Sequence, residues 1–236
     1  MPHIWGMLLK LAPFLLAIGY ALLMLRFSVW QTRRMLQANS RPLVDAEINA
    51  LAKRLAAALD LPEIQLRVFE IDAVNGLASP DGHIFLTRGF LAARARGAFT
   101  SEELASVIAH ELGHVALGHI RRRMIDFTGQ NAVFVVLSAF LNRFLPFIGI
   151  WIANLISTAL MARLSRRDEF EADAYASALL TKAGIGTAPQ KSLFLKLDRL
   201  TGAPGAEIPV WLRSHPKVAE RIAAIEAMEA RWGTAG

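Results

Sequence analysis

Two histidines four residues apart, with a glutamate following the first, form the run His110-Glu111-Leu112-Gly113-His114. On an α-helix, residues four apart share a face, so both imidazoles can bind one divalent ion. Glu111 then stands beside that ion, placed to take a proton from a bound water. The helix is itself encoded, because Thr100-Ser101-Glu102-Glu103 reads as a capping box that opens a helix reaching about His119. Gly113 costs ~1 kcal/mol against Ala in a helix interior. Close approach of another backbone or of a substrate would account for it. The competing account is a helix with two incidental surface histidines. The motif's position well inside a capped helix and the costly Gly113 weigh against that account.

The chain has no cysteine, which excludes disulfides and thiolate zinc sites. Any metal must be held by His, Asp or Glu, and a catalytic zinc needs three protein ligands and an open fourth position. The six histidines are His3, His83, His110, His114, His119 and His215, and none completes an HExxHxxGxxH spacing. His119 falls about 500° beyond His114 on a continuous helix, so it is expected to point away from the site. It reads instead as a helix C-terminal histidine. The best carboxylate source is Asp168-Glu169-Phe170-Glu171-Ala172-Asp173. Glu169 and Asp173 share a face, so one can ligate while the other accepts the outer N–H of a liganded histidine. Glu171 points elsewhere. An acidic first turn favoured by the helix dipole accounts for the same residues equally well.

Hydrophobic residues make up 54% of the 236 residues, against about 45–50% in an ordinary soluble domain. The excess lies near residues 4–25 and 132–162. The run from Ile4 to Leu25 is long enough for a bilayer span of ~20 residues. Lys10 can snorkel to the interface, Pro13 is tolerable inside, and Trp5, Tyr20, Phe27 and Trp30 lie near the ends. No small-residue cleavage site follows Leu25, so an uncleaved anchor is expected rather than a signal peptide. The net charge of +6 comes from arginines clustered beside the apolar runs, among them Arg26, Arg33, Arg34, Arg121, Arg122, Arg123, Arg163, Arg166 and Arg167. That placement suits lipid headgroups and a cytoplasmic catalytic domain, and no nucleic-acid partner is expected.

The second run is broken by Asn142-Arg143 and Pro146 and is basic on both flanks. It is too short for two spans of ~20 residues. A shallow re-entrant or interfacial hairpin fits it, as does an apolar helical hairpin packed on the domain. The expected organisation is an anchor and basic linker over 1–41, then one domain over 42–236 carrying this hairpin. Within that domain, helices are expected over about 45–60, from Ser165-Arg166-Arg167-Asp168 to about Lys182, over 188–200, and from Pro216 to about Arg231. Strands are expected over 64–71 and 83–87, paired antiparallel across the Pro80-Asp81-Gly82 turn.

Four motifs in order then resemble one family. They are Asn75-Gly76 with Pro80-Asp81-Gly82 before the strand 83–87, His110–His114, Glu169-Phe170-Glu171-Ala172-Asp173, and His215-Pro216 with Arg221. The chain resembles the HtpX-type and CAAX-prenyl-protease-type membrane zinc metallopeptidases over roughly residues 45–230. The resemblance implies one zinc per chain held by His110, His114 and Glu169, with Asp173 behind them and Glu111 as general base. It implies His215 near the metal as an oxyanion stabiliser and Arg221 paired with an active-site carboxylate. It also implies a substrate cleft lined by Asn75 and by Ile84, Phe85 and Leu86, whose strand edge can pair with an extended peptide.

The expected fold is therefore α+β and mainly α-helical, a zincin-like metallopeptidase domain with a small antiparallel sheet and an N-terminal transmembrane helix. The expected function is that of a membrane-anchored zinc endopeptidase in membrane-protein quality control, at the inner membrane with its catalytic domain in the cytoplasm. Its partners would be polypeptides and the lipid bilayer. The alternative is a catalytically silent membrane adaptor that binds through the edge strand and hairpin.

Overall fold

The computed structural model describes residues 19–20, 22–24, 26–120, 122, 134, 137–138, 140–201 and 217–233. A helical stretch over 26–38 leads into β1 (Ser40–Pro42). There follow α1 (Ala46–Ala58), β2 (Leu66–Phe69), β3 (Gly76–Ala78), β4 (Ile84–Thr87), α2 (Arg88–Ala95) and α3 (Ser101–Ala116). The remaining elements are α4 (Gly149–Lys182), α5 (Ala188–Thr201) and α6 (Val218–Trp232).

The centre of the domain is α3. Its Leu104-Ala105-Ser106-Val107-Ile108-Ala109 run is apolar or small all the way round, so the helix can be enclosed on every side. It packs against α1, α4, α5 and the strands β3 and β4. The core joins Leu104 and Ile108 to Ile48 and Leu55 of α1, Val68, Ile84 and Leu86 of the sheet, and Leu180 and Leu193 of α4 and α5. Each such side chain stabilises the fold by about 1.5–3 kcal/mol through burial. The capping box forms as the sequence implies: Thr100 Oγ1 accepts from the Glu103 N–H at 3.2 Å, and Glu103 Oε2 accepts from the Thr100 N–H at 2.8 Å.

The sheet is mixed, in the order β1-β2-β4-β3. β1 pairs antiparallel with β2, β2 parallel with β4, and β4 antiparallel with β3. This corrects the antiparallel β2–β4 hairpin expected from the sequence. The residues read there as a turn contain a third strand, β3, and it is β3 that makes the hairpin with β4. A parallel neighbour needs a crossover, and the chain from β2 through β3 supplies it. With only three residues and a glycine, β3 carries no alternation from which a strand could be read. A second correction follows: β4 is paired on both sides, and Ile84, Phe85 and Leu86 are 0–1% exposed. Their buried side chains do not line an open cleft, and the edge strand packed against α3 is β3.

The acidic segment does not begin a new helix at Ser165. Nothing between 149 and 182 breaks the helix, so α4 runs for 34 residues, about 51 Å at 1.5 Å per residue. A turn over 145–148, with Phe147 at φ 68°, joins it to a helical segment over 140–144. This tip points its apolar side chains outward: Phe144 is 64% exposed, Phe147 87% and Trp151 75%. Among the described residues no helix is long and apolar enough to cross a membrane. The span expected over 4–25 lies largely outside the described residues.

Candidate metal centre

α3 and α4 cross closely at Gly113. A Cβ on this residue would stand 3.1 Å from the Cα and carbonyl oxygen of Ala172, closer than side chains ordinarily pack. The small residue thus lets the histidine face of α3 meet the acidic face of α4. His110 Nε2 lies 3.1 Å from His114 Nε2 and 3.3 Å from Glu169 Oε2, and His114 Nε2 lies 3.6 Å from Glu169 Oε1. All three residues are at most 6% exposed. Zinc–ligand bonds of about 2.0–2.2 Å in tetrahedral geometry put donor atoms about 3.3 Å apart. The observed triangle fits one face of such a tetrahedron, and its two nitrogens and a carboxylate are a donor set that zinc accepts.

The electrostatics favour a cation at the same point. Burial works against charge on His110, but hydrogen bonds to Asp173 and Glu169 outweigh it and raise the imidazole to about 9. Burial pushes His114 below its ordinary value against the opposing hydrogen bond to Glu169. The pocket therefore favours one positive charge between carboxylates. Asp173 stands behind His110, with Oδ1 at 2.9 Å from Nδ1. Arg221 of α6 donates Nε to Asp173 Oδ2 at 2.6 Å and Nη2 to Oδ1 at 2.5 Å, while its guanidinium lies 3.9 Å over the Phe194 ring. Burial raises the Asp173 carboxyl, but the adjacent Arg221 charge outweighs it and holds the group below the ordinary aspartate value.

Glu111 is 6% exposed and faces the start of β3. A Cβ on Gly76 would stand 3.6 Å from Glu111 Cγ and 3.7 Å from Oε1. The carboxylate that the sequence marks as the base therefore lies against the edge strand. Asn75 precedes that strand. Its N–H donates to Thr87 Oγ1 at 3.0 Å, and that hydroxyl in turn donates to the Ala73 carbonyl at 2.6 Å. Asn75 also lines a narrow recess with Val74, Gly76, Phe90, Val107 and Leu197. His215 lies outside the described residues.

Sequence reasoning missed one member of the cluster. His119 is fully buried, and its Nδ1 lies 3.0 Å from His114 Nδ1. Counting 100° per residue failed because α3 ends at Ala116 and the chain turns back through Gly118 at φ 69°. Leu117-Gly118 was the available signal, since glycine just past a helical run marks its end.

A sequence model of "Peptidase family M48" matches residues 42–229. The chain is 29% identical over 174 residues to metalloprotease LoiP of Escherichia coli, covering 74% of this chain and 66% of LoiP. It is 24% identical over 238 residues to a protease HtpX homolog of Variovorax paradoxus, covering 84% and 77%. The crystal structure of S. mikatae Ste24p shares the fold at a TM-score of 0.51 and 23% identity, over 89% of this chain and 56% of that one. The chain thus spans just under two thirds of LoiP. With its family match extending from β1 into α6 and the donor triangle inside it, the chain belongs to peptidase family M48, a family of zinc metallopeptidases.

Proposed function

We propose that the protein is a zinc-dependent endopeptidase working at a membrane surface. One observation carries this reading: the buried triangle of His110, His114 and Glu169 stands beside Glu111, and Glu111 faces the edge strand β3. Zinc held by these three residues would supply Lewis acidity, bringing a water's pKa towards ~7 and polarising a peptide carbonyl. Glu111 takes the proton of the attacking water and delivers it to the leaving amine. Asp173 fixes the His110 tautomer by accepting its Nδ1 hydrogen, and Arg221 keeps Asp173 ionised. An extended substrate pairs with the β3 edge through main-chain hydrogen bonds, which brings its scissile bond past Glu111. His215 is the candidate donor to the developing oxyanion.

The outward-facing aromatic residues of the hairpin tip support contact with lipid, since contiguous exposed apolar surface marks interaction sites. α4 runs from that tip to the site, with Trp151 about 27 Å from Glu169 along its axis. The arginine-rich flanks of the apolar runs support a cytoplasmic catalytic domain at the inner membrane. Membrane proteins with damaged or exposed segments are the substrates this arrangement would serve.

Two measurements test the proposal. Purified protein should contain one zinc per chain and cleave casein at internal bonds; chelation should stop cleavage and zinc should restore it. Phe147→Ser with Trp151→Ser should reduce flotation with anionic vesicles. Cleavage that survives complete zinc removal would contradict the enzymatic reading, and unchanged flotation would contradict lipid contact by the hairpin tip.

A further inference from the structure

The two histidine ligands are braced differently. His110 meets a carboxylate directly, through Asp173. His114 meets instead the ring of His119, and His119 Nε2 lies 3.2 Å from Glu171 Oε2 and 3.7 Å from Asp168 Oδ1. Resting on the zinc reading above, we propose that His119 is a positioning residue of the metal centre: it accepts the Nδ1 hydrogen of His114 and links that ligand to the Glu171 carboxylate.

The hydrogen assignments close along this chain. For His114 Nε2 to face a metal it must carry a lone pair, so Nδ1 carries the hydrogen. At 3.0 Å that hydrogen can only be received by a lone pair on His119 Nδ1. The His119 hydrogen then sits on Nε2, which points at Glu171. Every proton has one place, and the ring of His114 is locked in the ligating tautomer. Outer partners of this kind orient a ligand and raise its basicity.

The fold builds this relay from two features already described. The reversal at Gly118 returns His119 beneath His114. On α4, Glu169 and Asp173 occupy one face and Asp168 and Glu171 the adjacent one, so a single helix serves both histidines. The cluster of His119, Asp168 and Glu171 is not a second metal site by this account. Arg122 Nη1 already donates to Asp168 Oδ1 at 3.0 Å, and Arg167 Nε to Glu171 Oε1 at 2.7 Å. Those cations neutralise the carboxylates and hold Glu171 in place for His119.

The test measures zinc affinity of the full chain in detergent by competition with a chromogenic chelator, and the electronic absorption of the cobalt-loaded forms. Removing an outer partner typically costs 10–100-fold in metal affinity. His119→Leu fills the space without an acceptor and should weaken zinc binding 10–100-fold and shift the cobalt bands. His119→Gln offers both an acceptor and a donor and should recover most of the loss. Glu171→Gln, at a partly exposed position, should fall between Leu and wild type. The proposal is overturned if His119→Leu binds zinc as wild type does, or if Gln is no better than Leu. If His119→Leu fails to fold, unchanged affinity in Glu171→Gln overturns it. Absence of zinc from the wild-type protein would instead overturn the metal site itself.

Discussion

Asp173 and Arg221 form a forked ion pair in which both partners are at most 1% exposed, and the same Asp173 carboxylate braces His110. The pair therefore ties α6 to the candidate metal centre. Its two charges satisfy each other in a region that water does not reach.

Removing one partner strands the other. Arg221→Leu should leave Asp173 buried beside His110 without its counter-charge, and such losses cost about 3–5 kcal/mol. Urea denaturation should show a midpoint shift of that size with an unchanged slope. A loss below 1 kcal/mol would mean that the pair does not bear on stability.

The α3–α4 crossing leaves no room at Gly113. Gly113→Val should force the helices apart, costing about 1–3 kcal/mol by overpacking. Because Glu169 and the two histidines lie on opposite sides of this crossing, zinc affinity should fall with stability. Thermal unfolding and chelator competition on the same variant check both effects. A destabilised variant with wild-type zinc affinity would separate the crossing from the site.

Glu229 of α6 accepts a hydrogen bond from Lys191 Nζ at 2.8 Å and another from Thr187, joining α6 to α5. Partial burial opposes its ionisation, but these partners outweigh it and hold the carboxyl below 4.5. A depressed carboxyl stabilises the fold at pH above its unfolded value and loses that effect as pH falls through the folded value. Glu229→Gln should therefore cost about 1–2 kcal/mol at pH 7. The difference should close as the pH drops below about 4.5, the ordinary glutamate value. Melting temperatures across pH 3–8 test the sign; a gap that widens in acid would contradict it.

How much the sequence revealed depended on whether the signal was local. The Thr100–Glu103 capping box, the helix face carrying His110 and His114, and the Glu169/Asp173 pair four residues apart are local patterns, and each appears in the fold. The parallel β2–β4 pairing was hidden because it depends on which strands meet across space, and β3 is too short to register. The start of α4 was misread because Ser165-Arg166-Arg167-Asp168 resembles a cap, although a helix already under way has no need of one. His119 was missed for a different reason: a two-residue turn at Leu117-Gly118 changes its direction entirely.

The central claim is that Glu111 is the base of a zinc peptidase. The most direct test compares casein cleavage and zinc content of the wild type and Glu111→Gln, both purified in detergent. The account predicts one zinc per chain in both proteins and internal cleavage by the wild type alone, with the variant slowed at least 100-fold, in the range expected for loss of a general base, about 10²–10⁴. Equal cleavage by the two would contradict it, and zinc in both with turnover in neither would favour a silent adaptor.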